Sequence, residues 1–537
     1  MAPPAESLPA RPGPDTGPGA PAPRPDRGVL SLALLALALV CLPLGLFPQA
    51  AGPVVLDLYD WTASNLGLLY QWFAIATILL LLWLAFGRYG RVRLGTEPPE
   101  FPTFHWVAML FCSGVGAGLL FWSTIEWVSY YESPPLGVAP RSTEAIEWAA
   151  AYGLFHWGVG AWSLYALPTI AIAYPYYVKK VPFLRASTSC HSLLGPRGES
   201  GPLARCIDLL FVIALLGGAG TSLGFSAPMI AAAIAKAFGL EATVGLELAG
   251  VAFCAGLFGV SSYLGLERGM QRLSDLNVWL AFALVAYVLL VGPTTFLLRM
   301  GTDSIGFMFD RLIRMMTWTD PVERTGFVES WTIFYWAWWV AYGPFVGLFV
   351  TRISRGRTIR EVILSMLCYG SLGGWAFFIA LGDYALHLEL HGILSVTGIV
   401  AGQGRAEAIA EVIGSLPLAG LSLAVFALLG IVFAATTYDS AAYALAASAT
   451  ARLRAGQHPA RGHRLFWASV LGVLPALLIW VGSHQPGDPL RVVLSAALVS
   501  SFPLIFVGVA MAVALVRSLR EERLVRQDAD PWRGTGT

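Results

Sequence analysis

Along the chain, long apolar runs alternate with short polar segments. Twelve runs stay apolar for about 20 residues, the length needed to cross a hydrocarbon layer near 30 Å thick. They fall near 29–47, 66–86, 104–129, 145–177, 206–236, 243–264, 275–298, 330–351, 359–386, 412–450, 463–482 and 490–516. Such runs predict membrane-spanning helices, because a helix satisfies its own backbone where no water can. The pattern predicts an all-α polytopic membrane protein.

One segment departs from this pattern. Within 299–329, Phe309, Leu312, Ile313 and Met316 recur at helical spacing with Asp310, Arg311 and Arg314 between them. That spacing predicts an amphipathic helix on the outer surface, either merely capping the bundle or serving a functional role. Residues 1–28 are Pro, Ala, Gly and Arg rich and read as a disordered tail. The first apolar run is too long for a signal-peptide core.

Composition sharpens the class. Only 12% of residues are charged, 56% are hydrophobic, and the mean hydropathy is +0.66. A water-soluble protein could not hide that much apolar surface. The formal net charge of +1 excludes an electrostatic nucleic-acid binder. Six cysteines lie far apart with no CxxC or Cys/His cluster, so neither a disulfide framework nor a zinc site is expected. Of the 34 Lys and Arg residues, 26 fall in every second inter-span segment, including both tails. That bias predicts both termini in the cytoplasm.

Four spans carry candidate chemistry. The third contains Cys112-Ser-Gly-Val-Gly-Ala-Gly118, whose glycines predict either local unwinding or a Gly114–Gly118 helix-packing pair. The fourth carries His156 and Trp157, with Trp162 and Tyr165 three apart on one face. His156 reads as a hydrogen-bonded core histidine. In the eighth, seven of the twelve residues Trp331–Tyr342 are aromatic. Aromatic crowding in mid-membrane points to a cage for a cation that donates no hydrogen bonds, such as quaternary ammonium. The tenth holds Thr436 and Thr437, which can supply oxygen to a small cation or bond back to their own helix. Asp439 beside them reads as a structural hydrogen-bond partner. No HExxH motif, GxSxG elbow or paired-carboxylate cleft supports a membrane enzyme.

These stretches together resemble the betaine/carnitine/choline transporter family. The resemblance rests on Trp331-Thr-Ile-Phe-Tyr-Trp-Ala-Trp-Trp followed by Arg352-Ile-Ser-Arg-Gly-Arg-Thr-Ile-Arg-Glu361. Gly116-Ala-Gly-Leu-Leu-Phe-Trp with Glu126, Leu154-Phe-His-Trp157 and Gly220-Thr-Ser-Leu-Gly224 extend it. It implies a sodium-symporter-like (LeuT-type) core of two inverted five-helix repeats within twelve transmembrane helices. The repeats would span 99–300 and 330–516, after a tail (1–28) and two peripheral helices (29–98). The amphipathic helix (301–329) would lie between them, and a short cytoplasmic tail (517–537) would follow. The resemblance further implies a homotrimer in the bacterial inner membrane, embedded in the lipid bilayer.

For the site, the resemblance implies an aromatic box of Trp157, Trp162, Tyr165 and Trp339, with Trp338 and Tyr342 along the path. Gly114, Gly116, Gly118 and Ser222 would approach the substrate carboxylate. Sodium, as coupling ion and without any other cofactor, would use main-chain oxygens of Cys112, Val115 and Phe433 with the hydroxyls of Thr436 and Thr437. A second sodium position, threonine in some members, corresponds to Leu215 and Ala219 here. Tyr342 matches carnitine exchangers rather than betaine-type members. Those sodium-independent exchangers place a basic residue near what is Gln271 or Arg272 here. The expected activity is sodium-coupled import of a zwitterionic quaternary ammonium compound, or else sodium-independent exchange of such compounds.

Overall fold

The fold is given by a computed structural model that describes residues 24–528 apart from 115, 199–200, 265–266, 452, 454–456 and 485–488. The first half contains α1 (Arg27–Leu46), α2 (Pro48–Phe86), α3 (Thr103–Gly114), α4 (Ala117–Glu132), α5 (Thr143–His156) and α6 (Val159–Tyr177). It continues through α7 (Pro202–Phe238), α8 (Val244–Leu264), α9 (Glu267–Val291) and α10 (Thr294–Thr317). The second half contains α11 (Val328–Ile353), α12 (Ile359–Leu390), α13 (Arg405–Gly414), α14 (Ala419–Ser448), α15 (Arg461–Gly482) and α16 (Pro489–Asp528).

Among the described residues, nine helices are long and apolar enough to cross a membrane, or ten if α9 and α10 count as one bent span. The runs 104–129 and 145–177 do not appear as single helices, because each is broken in two. The run 412–450 also divides: its beginning is the end of α13, and a turn through Pro417 precedes α14. Proline lacks the N–H a continuing helix would need. At Gly292-Pro293 the chain turns by 113° into α10, so the amphipathic helix begins at Thr294, earlier than its apolar spacing predicts. Its expected stripe is divided. Met316 is buried, whereas Phe309 and Ile313 are 53% and 76% exposed.

Burial separates centre from edge. In α11, 94% of the most apolar stretch is buried, against 17% in α1. Thus α11 is the axis of the bundle and α1 faces the surroundings. Close packing of α11 on α6, and of α7 on α14 and α16, forms the interior. The second helix is tied in by buried polar bonds: Tyr70 Oη donates to Leu498 O and Gln71 Nε2 to Trp318 O.

Loops assigned to one side by their basic residues do meet. Residues 92–94 hydrogen-bond to 356–359, and Arg24–Pro25 pairs with Thr450–Ala451 as a short antiparallel ladder. Arg355 stands 2.7 Å from Glu97, and its hydrogen bond holds that carboxyl down at about 2. Against the opposite end, Arg141 pairs with Glu132 across the α4–α5 turn.

Candidate functional site: an aromatic cavity at two helix breaks

The first break lies where the glycines predicted unwinding. The third helix ends at Gly114, Gly116 is extended (φ −142°, ψ −170°), and α4 starts at Ala117. Gly114 and Gly118 therefore belong to different helices and do not form a packing pair on one face. Of the expected sodium ligands, Val115 lies outside the described residues, and Cys112 sits in the last turn of α3. Close approach explains the glycines retained here. A Cβ on Gly116 would stand 3.2 Å from Thr437 Oγ1, and one on Gly118 would stand 3.1 Å from the Trp338 ring.

A second break, which the sequence reading treats as continuous span, separates α5 from α6 at Trp157-Gly158. Here Gly158 N donates to Phe155 O instead of to Leu154 O. The released Leu154 carbonyl accepts from Trp375 Nε1 at 2.8 Å. A side chain from α12 thus replaces the missing helix bond.

The two breaks face α11 and bring the expected aromatic residues together. Trp157 meets Trp339 edge-on at 4.8 Å between centroids, and Tyr165 meets Trp339 at 5.8 Å. Trp162 meets Tyr165 at 5.7 Å, nearly perpendicular. Trp338 and Trp339 stack at 4.7 Å. Trp339 is oriented by its indole N–H, which donates to His156 O at 3.0 Å.

Two small spaces remain between these rings. Trp157, Trp162, Tyr165 and Trp339 line one of about 10 Å³, closed by Gly370 and Gly374. The other, about 30 Å³, has Trp157, Tyr165, Trp338, Trp339 and Tyr342 on one side and Gly116, Gly118, Ser222 and Thr437 on the other. A space of about 10–15 Å³ suffices to hold one water molecule. The larger cavity therefore has room for at least one water between the rings and the glycine face.

The hydroxyl pair on α14 behaves differently from the rings. This helix runs unbroken through both threonines. Thr436 Oγ1 lies 2.9 Å from Val432 O and 3.2 Å from Phe433 O, the back-bonding arrangement, whereas Thr437 lines the cavity. A hydroxyl that donates its proton backwards still offers lone pairs to a cation.

Two features were not assigned from sequence. Trp162 lies flat on Gly370, where a Cβ would come within 2.2 Å of the indole. That glycine ends a π-helical turn (Met366–Gly370) of α12, and no local sequence pattern marks it as a partner of Trp162. We predict that Gly370→Ala displaces Trp162 and weakens ligand binding roughly tenfold, since overpacking costs about 1–3 kcal/mol. Titration of the purified variant by tryptophan fluorescence checks this; unchanged affinity would show that Trp162 does not shape the site.

The second is Glu126, quoted above only as part of a motif. It is 1% exposed on α4. Its carboxylate accepts from Tyr130 Oη, Tyr335 Oη and Trp157 Nε1. His156, as expected, is a hydrogen-bonded core residue, with Nδ1 2.9 Å from Tyr130 Oη and Nε2 3.2 Å from Thr332 Oγ1.

A largely apolar, ring-walled cavity at two helix breaks inside a bundle of apolar helices suits a membrane transporter. Comparison with known sequences gives the family. Residues 28–524 match the family described as "BCCT, betaine/carnitine/choline family transporter". The "Uncharacterized transporter YeaV" of Escherichia coli (strain K12) is 37% identical over 417 residues, covering 78% of this chain and 86% of that protein. A "Carnitine transporter" of Acinetobacter baumannii is 34% identical over 498 residues, covering 93% of this chain and 89% of that one. The chain belongs to the betaine/carnitine/choline transporter family.

Proposed function

We propose that the protein imports a zwitterionic quaternary ammonium compound of the glycine betaine or carnitine type, coupled to sodium. The observation that carries this reading is one cavity with two unlike walls. Rings of Trp157, Tyr165, Trp338 and Trp339 form the first, and each face offers a desolvated cation about 0.5–2 kcal/mol. The second is the start of α4, where no side chain caps the helix and the dipole favours a carboxylate. Tyr342 Oη lies buried on this cavity beside Ser222, and it can donate to the same carboxylate.

In this reading all twelve apolar runs cross the bilayer, the two broken pairs counting as one span each. Spans three to seven and eight to twelve form the inverted repeats, and three copies assemble in the bacterial inner membrane with both termini inside. Sodium binds between the α3–α4 break and α14, using Thr436 and Thr437. Two observations favour the alternative, sodium-independent exchange. The Thr436 hydroxyl is engaged by its own helix, and Leu215 and Ala219 are apolar and buried where a second ion would sit. Counterflow separates the two readings, because an exchanger requires substrate on the far side of the membrane.

No carboxylate lines the cavity among the described residues. Zwitterions should therefore outcompete choline, which cannot use the α4 N-terminus. Competition for uptake in proteoliposomes tests this, and stronger inhibition by choline than by glycine betaine or carnitine would refute it.

A further inference from the structure

We infer that Glu126 is the counter-charge of the aromatic cavity, a positioning residue that makes it select a cationic head group over a neutral one of the same shape. The inference rests on the proposed quaternary ammonium substrate and adds a determinant outside the cavity wall.

The donors around Glu126 all point towards it. An ionised carboxylate only accepts hydrogen bonds, and an indole N–H only donates. Trp157 Nε1 lies 3.2 Å from Oε2, which also takes the Tyr335 hydroxyl, while Oε1 takes the Tyr130 hydroxyl. A chain of groups stands behind Tyr130: Thr332 Oγ1 beside His156 Nε2, and His156 Nδ1 beside Tyr130 Oη. A neutral imidazole satisfies both contacts, accepting from Thr332 and donating to Tyr130. Each bond in such a chain polarises the next towards its acceptor. Arg405, at the start of α13, reaches α4 further along, its guanidinium 3.5 Å from Ser129 Oγ.

Two of the three rings that hold Glu126 wall the cavity or stack on its wall. Trp157 lines both cavities, and Tyr335 stacks on Trp339 at 5.7 Å and 27°. Hydrogen bonding of an indole N–H to an anion pushes electron density into the ring and deepens the negative potential on its face. The carboxylate also attracts a cation directly through a medium with little water. Both effects act on charge and not on shape. Both act on the ammonium end, common to choline and the zwitterions, so the carboxylate end still decides between those ligands.

The test compares glycine betaine with 3,3-dimethylbutyrate, in which carbon replaces the quaternary nitrogen. Dissociation constants are measured by tryptophan fluorescence on the purified full-length protein and on Glu126→Gln, which keeps the side-chain shape. Glu126→Gln should weaken glycine betaine roughly tenfold or more while leaving 3,3-dimethylbutyrate unchanged or tighter. Equal weakening of both ligands would assign Glu126 a structural role only, and no change in either would overturn the inference. Tyr335→Phe, which removes one donor but keeps the charge, should retain the preference for the charged ligand; its loss would overturn the inference. If Glu126→Gln does not fold, Glu126→Asp carries the test: preference for the charged ligand must survive there, even if both bind more weakly. Failure of the unmodified protein to bind any quaternary ammonium compound would instead remove the substrate reading itself.

Discussion

Replacing Trp339 by Leu should weaken substrate binding at least tenfold, more than any other single change in the ring wall. Leu keeps apolar bulk but removes three contributions together. It loses a cation-facing ring, worth about 0.5–2 kcal/mol when desolvated. It loses the stack on Trp338 and the edge contacts of Trp157 and Tyr165, which fix the neighbouring walls. It also leaves His156 O without the indole donor that now reaches it. Calorimetric titration of the variant measures the loss. An unaltered dissociation constant would mean that the rings are packing and not a cage.

How far these features were legible in the sequence depended on whether their cause was local. The break at Gly116 has a local cause, because glycines within one turn weaken a helix wherever it lies. The break at Trp157-Gly158 has a distant one. It is stabilised by Trp375, which reaches Leu154 O from a helix more than two hundred residues later. The aromatic residues of α11 were conspicuous because lipid gives little reward for such bulk. Gly370 was not, since a glycine in an apolar run becomes informative only when Trp162 is found lying on it. Glu126 was visible as a charge in an apolar run, but its role depends on donors from α5 and α11 that only the fold collects. The edges of α10 and α14 were misjudged for a simpler reason. Apolar composition continues across Gly292-Pro293 and Pro417, while the backbone does not.

The second large effect concerns the ion. Thr436→Val combined with Thr437→Val removes two oxygens and keeps the branched shape, so α14 should remain folded. If sodium bridges α14 and the α3–α4 break, the sodium concentration for half-maximal uptake should rise tenfold or more. A hard cation binds through oxygen, and the valine methyls offer none. Because Thr437 already meets Gly116 across this break, the ion would join two helices that both line the cavity. Coupling requires that the ion bind the two transport states unequally. Unchanged sodium dependence in the double variant would move the ion elsewhere.

The most direct test is uptake of labelled glycine betaine and carnitine into proteoliposomes that contain the purified protein and no internal substrate. An inward sodium gradient is imposed, with potassium replacing sodium in the control. The account predicts accumulation above the external concentration with sodium and none with potassium. An inward-negative potential should increase it, since one charge moving through 100 mV contributes about 2.3 kcal/mol. Uptake that ignores sodium and appears only when substrate is preloaded would contradict the coupling and establish exchange. Absence of uptake of every quaternary ammonium compound under both conditions would contradict the account as a whole.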